Sequence, residues 1–260
     1  MTRIGCALVL FMLVACAQQP TQPQYTPKPR AKPELEDAHT RAEIHTQLGA
    51  AYFEIGNLAV ALVELNEALQ ADPDYGKAYN VRGLVYMQLG EADQAEQSFQ
   101  RALNLSPEDS DANNNYGWFL CRQKRHEEGI RHIMTALKNP LYSTPDKSYV
   151  NAGMCARDRG DNKSAAEFFE RALLSQPRQL QALYQLADMA YRANQLPAAK
   201  GYLQRLTQTG ATFNAEALWL ALRIERRLGD KDAEASYGLR LRRNFPDSRE
   251  TQALLNGQFE

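Results

Sequence analysis

A 34-residue period runs through most of this chain. A unit that short cannot bury a core alone, so it must stack on its neighbours. In one copy Leu48-Gly49, Tyr52, Gly56, Ala61, Leu65, Ala68 and Pro73 fall at positions 7, 8, 11, 15, 20, 24, 27 and 32. In the next, Gly83, Tyr86, Gly90, Ala95, Phe99, Ala102 and Pro107 repeat the series from position 8. The spacing predicts two helices per unit. Small residues at positions 8 and 20 let them approach, large ones at 11 and 24 fill the space beside them, and Pro at 32 ends the second helix.

The pattern resembles the tetratricopeptide repeat. That resemblance implies an all-α, right-handed superhelix of six helix pairs with a concave inner surface. The units run about 42–75, 76–109, 110–143, 146–179, 180–213 and 214–247. The third copy has Gly129 where position 20 is elsewhere Ala, and an insertion in "NPLYSTPD" follows it. Residues 248–259 read as a final helix that covers the last repeat.

In such arrays positions 2, 5, 9, 12 and 13 of the first helix line the groove. Here they include Phe53, Leu84, Met87, Asn114, Trp118, Met154, Tyr184, Tyr191 and Leu222. Any one of these side chains can instead pack between repeats. As a stripe they are read as a partner-binding groove for a peptide or amphipathic helix.

Ahead of the repeats, Arg3 precedes an apolar run, Ile4 to Ala15, too short to span a bilayer. It ends in Leu13-Val14-Ala15-Cys16, which resembles the lipobox of bacterial lipoproteins. The resemblance implies a signal peptide over 1–15 and a diacylglyceryl group on Cys16. Ala17, rather than Asp, implies sorting to the outer membrane, with the folded part in the periplasm. Residues 16–38, with Pro20, Pro23, Pro27, Pro29 and Pro33, read as an extended tether before a domain over 39–260.

The formal net charge is -1, which does not point to nucleic acid. No glycine-rich phosphate loop, GxSxG elbow or HExxH helix occurs. No catalytic residue, metal site or cofactor is expected beyond the lipid on Cys16. Cys121 and Cys155 occupy positions 12 and 10 of neighbouring first helices. In an oxidising periplasm that register predicts a disulfide, or two buried free thiols if the Cα atoms lie more than ~7 Å apart.

Three segments, "NNYGWFLCRQKRHEEG", "LYSTPDKSYVNAGMCARDRGD" and "AEASYGLRLRRNFPDS", resemble the type IV pilus biogenesis lipoproteins of the PilF/PilW family. The resemblance covers nearly the whole chain. It implies an outer-membrane pilotin; the lack of catalytic motifs predicts no enzyme, and the domain is expected to be monomeric. Such a protein binds the pilus secretin and supports its localisation, multimerisation or stability, and with them twitching motility. It also implies docking through the N-terminal repeats. The alternatives are a general periplasmic adaptor and a regulatory subunit of a cell-wall synthase.

Overall fold

The computed structural model describes residues 33–259. The proposed signal peptide, Cys16 and most of the proposed tether lie outside those residues. Thirteen helices and no strand occur among the described residues. Twelve form six antiparallel pairs: α1 (Pro33–Glu54) with α2 (Leu58–Ala71), α3 (Gly76–Leu89) with α4 (Ala92–Leu105), and α5 (Ser110–Arg122) with α6 (His126–Ala136). Then come α7 (Pro145–Asp158) with α8 (Asn162–Ser175), α9 (Leu180–Arg192) with α10 (Leu196–Gln208), and α11 (Ala215–Leu228) with α12 (Lys231–Asn244). The last helix, α13 (Arg249–Leu255), packs on α11 and α12. The pairs stack in order into the superhelix that the period predicts.

Close approach within each pair is visible at position 8. A Cβ on Gly83 would lie 2.6 Å from the ring of Phe99, and one on Gly153 would lie 2.6 Å from Phe169. In the first four units residue 24 therefore fills the space that a glycine at residue 8 leaves open. Side-chain caps hold the starts of α5, α8, α11 and α12, where Asp109, Asp161, Asn214 and Asp230 accept from backbone N–H groups.

The turn inside each pair needs a left-handed residue. Gly56, Gly90 and Gly160 supply it at φ of 79°, 82° and 87°. In the third and fifth units Lys124 (φ 65°) and Asn194 (φ 60°) take the same conformation. Asn adopts it readily. A Lys there costs roughly 1–2 kcal/mol, and Lys124 in turn reaches Asp158 of the next unit at 2.9 Å.

One boundary differs from expectation. Helix α1 starts at Pro33, inside the stretch expected to be tether. Proline suits a first helical position because its missing N–H has no intrahelical partner there. The extra turns are held from below: His39 meets the edge of Tyr75, with ring centroids 5.0 Å apart, and hydrogen-bonds Asp72.

Candidate protein-binding surface

The third and fourth units are joined covalently. Cys121 on α5 and Cys155 on α7 form a disulfide with Cα atoms 5.4 Å apart. Both residues are buried, in a small cluster with Ile133 and Ala152 on which Trp118 packs. The disulfide explains Gly129: a Cβ there would lie 2.5 Å from the Cys121 sulfur and 2.6 Å from the Gly117 carbonyl. Alanine at this position would collide with the sulfur and the facing backbone. Beside the disulfide, Lys124 and His126 both reach Asp158, at 2.9 and 2.7 Å. The hydrogen bond from Lys124, then that from His126, holds the Asp158 carboxyl below its ordinary range.

Along the groove the first helices are connected by polar side chains. Asn115 donates to Asn80 (3.1 Å), and Asn114 donates to Asn115 (3.3 Å). Ser148 and Asn151 both donate to the Asn114 oxygen, at 2.9 and 3.1 Å. Further on, Arg157 hydrogen-bonds Gln185 and pairs with the buried Asp188, to which Arg192 also donates. Buried amides and carboxylates satisfied in this way fix the stacking of successive units.

Two of the expected groove residues are corrected here. Asn114 is buried, and its side chain is occupied by this ladder. Leu222 is 0% exposed and belongs to the core under α12. Gly238 on that helix has no side chain, which lets Leu222 fill the interface. Phe53, Leu84, Met87, Trp118, Met154, Tyr184 and Tyr191 are half-buried, each resting on a core cluster with part of its surface free. Burial raises the pKa of the Tyr184 hydroxyl, and Glu216 and Asp188 add to it.

A more exposed apolar surface lies at the N-terminal end. Ile44 is 51% exposed and Leu48 42%, both on α1, with Ile55 in the turn after it at 75% and Val63 on α2 at 58%. Ile44 and Leu48 sit at positions 3 and 7 of the unit. In the third, fourth and fifth units the same two positions are Ala112 and Tyr116, Ser148 and Ala152, and Ala182 and Leu186, all buried against the preceding unit. The first unit has no preceding unit among the described residues, so its apolar stacking face stays open. No motif in the sequence marks positions 3 and 7 as exposed. Their place in the first copy was the available signal.

Among the described residues no three His, Cys, Asp or Glu side chains gather as a metal site. No described helix is long and apolar enough to cross a membrane.

Comparison with known proteins gives a consistent picture. A family model described as tetratricopeptide repeat matches residues 46–110, 80–139 and 150–212. The type IV pilus assembly protein PilF of Pseudomonas aeruginosa is 31% identical over 210 residues, which cover 81% of this chain and 83% of that protein. The crystal structure of PilW, described as a widely conserved type IV pilus biogenesis factor, matches with a TM-score of 0.75 at 34% identity. That match covers 82% of this chain and 98% of that one. The structure of Pseudomonas aeruginosa PilF matches with a TM-score of 0.76 at 30% identity, over 86% of this chain and 99% of that one.

Proposed function

The chain belongs to the PilF/PilW family of tetratricopeptide-repeat proteins of type IV pilus biogenesis, and on that premise we propose that it is a lipid-anchored scaffold for the pilus secretin. Cys16 carries the anchor at the outer membrane, and residues 17–32 hold the superhelix away from the bilayer. Several acyl chains make a durable anchor, since each buried methylene contributes ~0.8 kcal/mol. The protein performs no chemistry. It holds a secretin segment and so promotes the secretin's localisation, multimerisation or stability.

The observation that carries this reading is the open stacking face of the first unit. Ile44 and Leu48 offer apolar surface where every internal unit from the third to the fifth is buried on a neighbour, and Ile55 in the following turn adds exposed apolar surface beside them. An amphipathic segment of the secretin laid across α1 completes the stack, and the half-buried Phe53, Leu84 and Met87 extend the contact into the groove.

Loss of the gene is expected to reduce heat-resistant secretin multimers on a gel and to abolish twitching. Unchanged multimers would remove the secretin assignment. Cys16→Ser is expected to leave a folded protein in the soluble periplasmic fraction. Its persistence in the outer membrane would contradict the anchor. Recovery of cell-wall synthases in place of secretin on co-purification would favour the adaptor reading.

A further inference from the structure

At the opposite end, α9 and α11 enclose a cleft of about 690 Å³ lined by Tyr191, Arg192, Arg223, Arg226, Arg227 and Phe259. Four of these six residues are arginines. Two have carboxylate partners: Arg192 pairs with Asp188, and Arg226 with Glu234. Both carboxylates are shared with a further cation, Arg157 at Asp188 and Lys231 at Glu234. Arg227 donates only to the neutral amide of Asn194, at 2.6 Å. Arg223 has a buried Nε with no hydrogen-bond acceptor. A buried donor without an acceptor costs about 1–3 kcal/mol, and native structures keep few such groups without a reason.

The guanidinium groups are also pre-set. Arg223 lies 4.9 Å from the centroid of Tyr191 and 5.6 Å from that of Trp219. Arg227 lies 5.0 Å from Tyr191, and Arg226 lies 3.7 Å from Phe259. Phe259 in turn stacks on Trp219, with centroids 5.6 Å apart. Rings that hold a guanidinium in place leave its fork of donors with little conformational freedom to lose on binding. The cleft therefore joins excess positive charge, arranged donors and apolar walls.

We propose that this cleft is a second binding site, and that it takes an acidic peptide segment of a partner protein, with carboxylates on Arg223 and Arg227 and an apolar side chain against Tyr191 and Phe259. A peptide uses both features of the cleft. An isolated phosphate or a lipid headgroup uses the arginines and leaves the ring walls idle, and the volume exceeds what one small anion fills. Arg223 and Arg227 are four apart on one helix, so their side chains are neighbours with Cβ atoms ~5–6 Å apart. That separation suits carboxylates two residues apart on an extended segment, whose same-face side chains repeat every ~6.6 Å. The site lies on the last units and does not depend on what occupies the first.

The test is fluorescence anisotropy of the full chain in non-ionic detergent. The probe is a labelled eight-residue peptide with an Asp-Leu-Glu core, compared with its Asn-Leu-Gln twin. The acidic peptide is expected to bind about tenfold or more tightly than the twin, the difference that charge-assisted hydrogen bonds make. Arg223→Gln with Arg227→Gln is expected to remove that preference, and Arg242→Gln with Arg243→Gln, equal in charge and exposed on α12, to keep it. If the first pair unfolds by circular dichroism, the exposed Arg227→Gln alone is expected to weaken the acidic peptide severalfold. Equal binding of the two peptides, or undiminished binding by folded arginine variants, overturns the proposal. Binding to vesicles of phosphatidylethanolamine and phosphatidylglycerol through the same arginines, without peptide binding, overturns it in favour of a membrane contact.

Discussion

From Val150 to Leu241 the buried apolar side chains form one continuous cluster that crosses three units. Upstream they fall into separate groups around Leu65, Phe99 and Ile133, and the units are connected along the groove by an amide ladder from Asn80 to Asn151. Both halves obey one repeat pattern, yet they are coupled differently. The C-terminal half shares one buried cluster, whereas upstream each smaller cluster bridges a single pair of neighbouring units and the amide ladder adds to it. In a stacked array, stability is a sum of unit and interface terms, so this difference sets where the molecule comes apart. The disulfide lies at the seam between the two.

Breaking that seam is expected to have the largest effect. The bond spans a sequence separation of 34 residues. In the chain-entropy model a loop of that size is worth on the order of 4 kcal/mol. Reduction, or Cys121→Ser with Cys155→Ser, should lower the urea midpoint and split the unfolding curve into two transitions, the N-terminal half first. A single transition at an unchanged midpoint would show that the seam needs no staple.

Next comes the continuous core. Leu222→Ala removes a fully buried side chain beneath Gly238 and is expected to cost about 3 kcal/mol in urea denaturation. Were Leu222 a groove residue, the cost would stay below about 0.5 kcal/mol, as for other surface positions.

A smaller effect concerns protons at the separate N-terminal clusters. His132 on α6 rests against Tyr116, with centroids 4.8 Å apart, and bonds to Asn113. Burial lowers its pKa, although Glu128 opposes the shift and Arg131 and Arg125 assist it. The folded state therefore resists a proton that the unfolded chain accepts near pH 6.5. Its stabilising contribution is complete above that pH and is lost as pH falls towards the folded value. Thermal melts of the natural chain and of His132→Gln should converge as pH drops from 7.5 to 5. Parallel curves across that range would exclude His132 as the cause.

The two halves were not equally legible in the sequence. The period gave the helix pairs, and register placed Cys121 opposite Cys155, because both follow from 3.6 residues per turn and a fixed repeat length. Gly129 departs from the Ala of the other units at position 20, and only the sulfur beside it explains the missing methyl. Groove membership was harder. Position 9 is a groove position only while the superhelix holds its average geometry, and at Leu222 the close approach of α12 buries it. The arginine cleft had no motif at all. It arises where α9, α11 and the chain near Phe259 converge, three places far apart in sequence. Pro33 illustrates a third kind of miss: a proline-rich composition argued for a tether, while one proline served as a helix start.

The smallest effect on stability belongs to the open end, and it separates the two ends most sharply. Ile44 and Ile55 are more than half exposed and Leu48 is 42% exposed, so replacing each with Ser is expected to change folding free energy by about 1 kcal/mol or less. If the face exists to complete the stack with a partner segment, the same triple variant should lose recovery of secretin from solubilised outer membranes. Buried partner contacts worth more than 1 kcal/mol are few and central, so three adjacent losses should suffice. The charge-neutral change leaves the arginine cleft intact, and acidic-peptide binding should persist in the variant. A folded triple variant that still recovers secretin would move the docking site away from the first unit, to the groove or the convex surface. Loss of both activities together would mean that the two ends, with the second to fourth units between them, communicate through the stack.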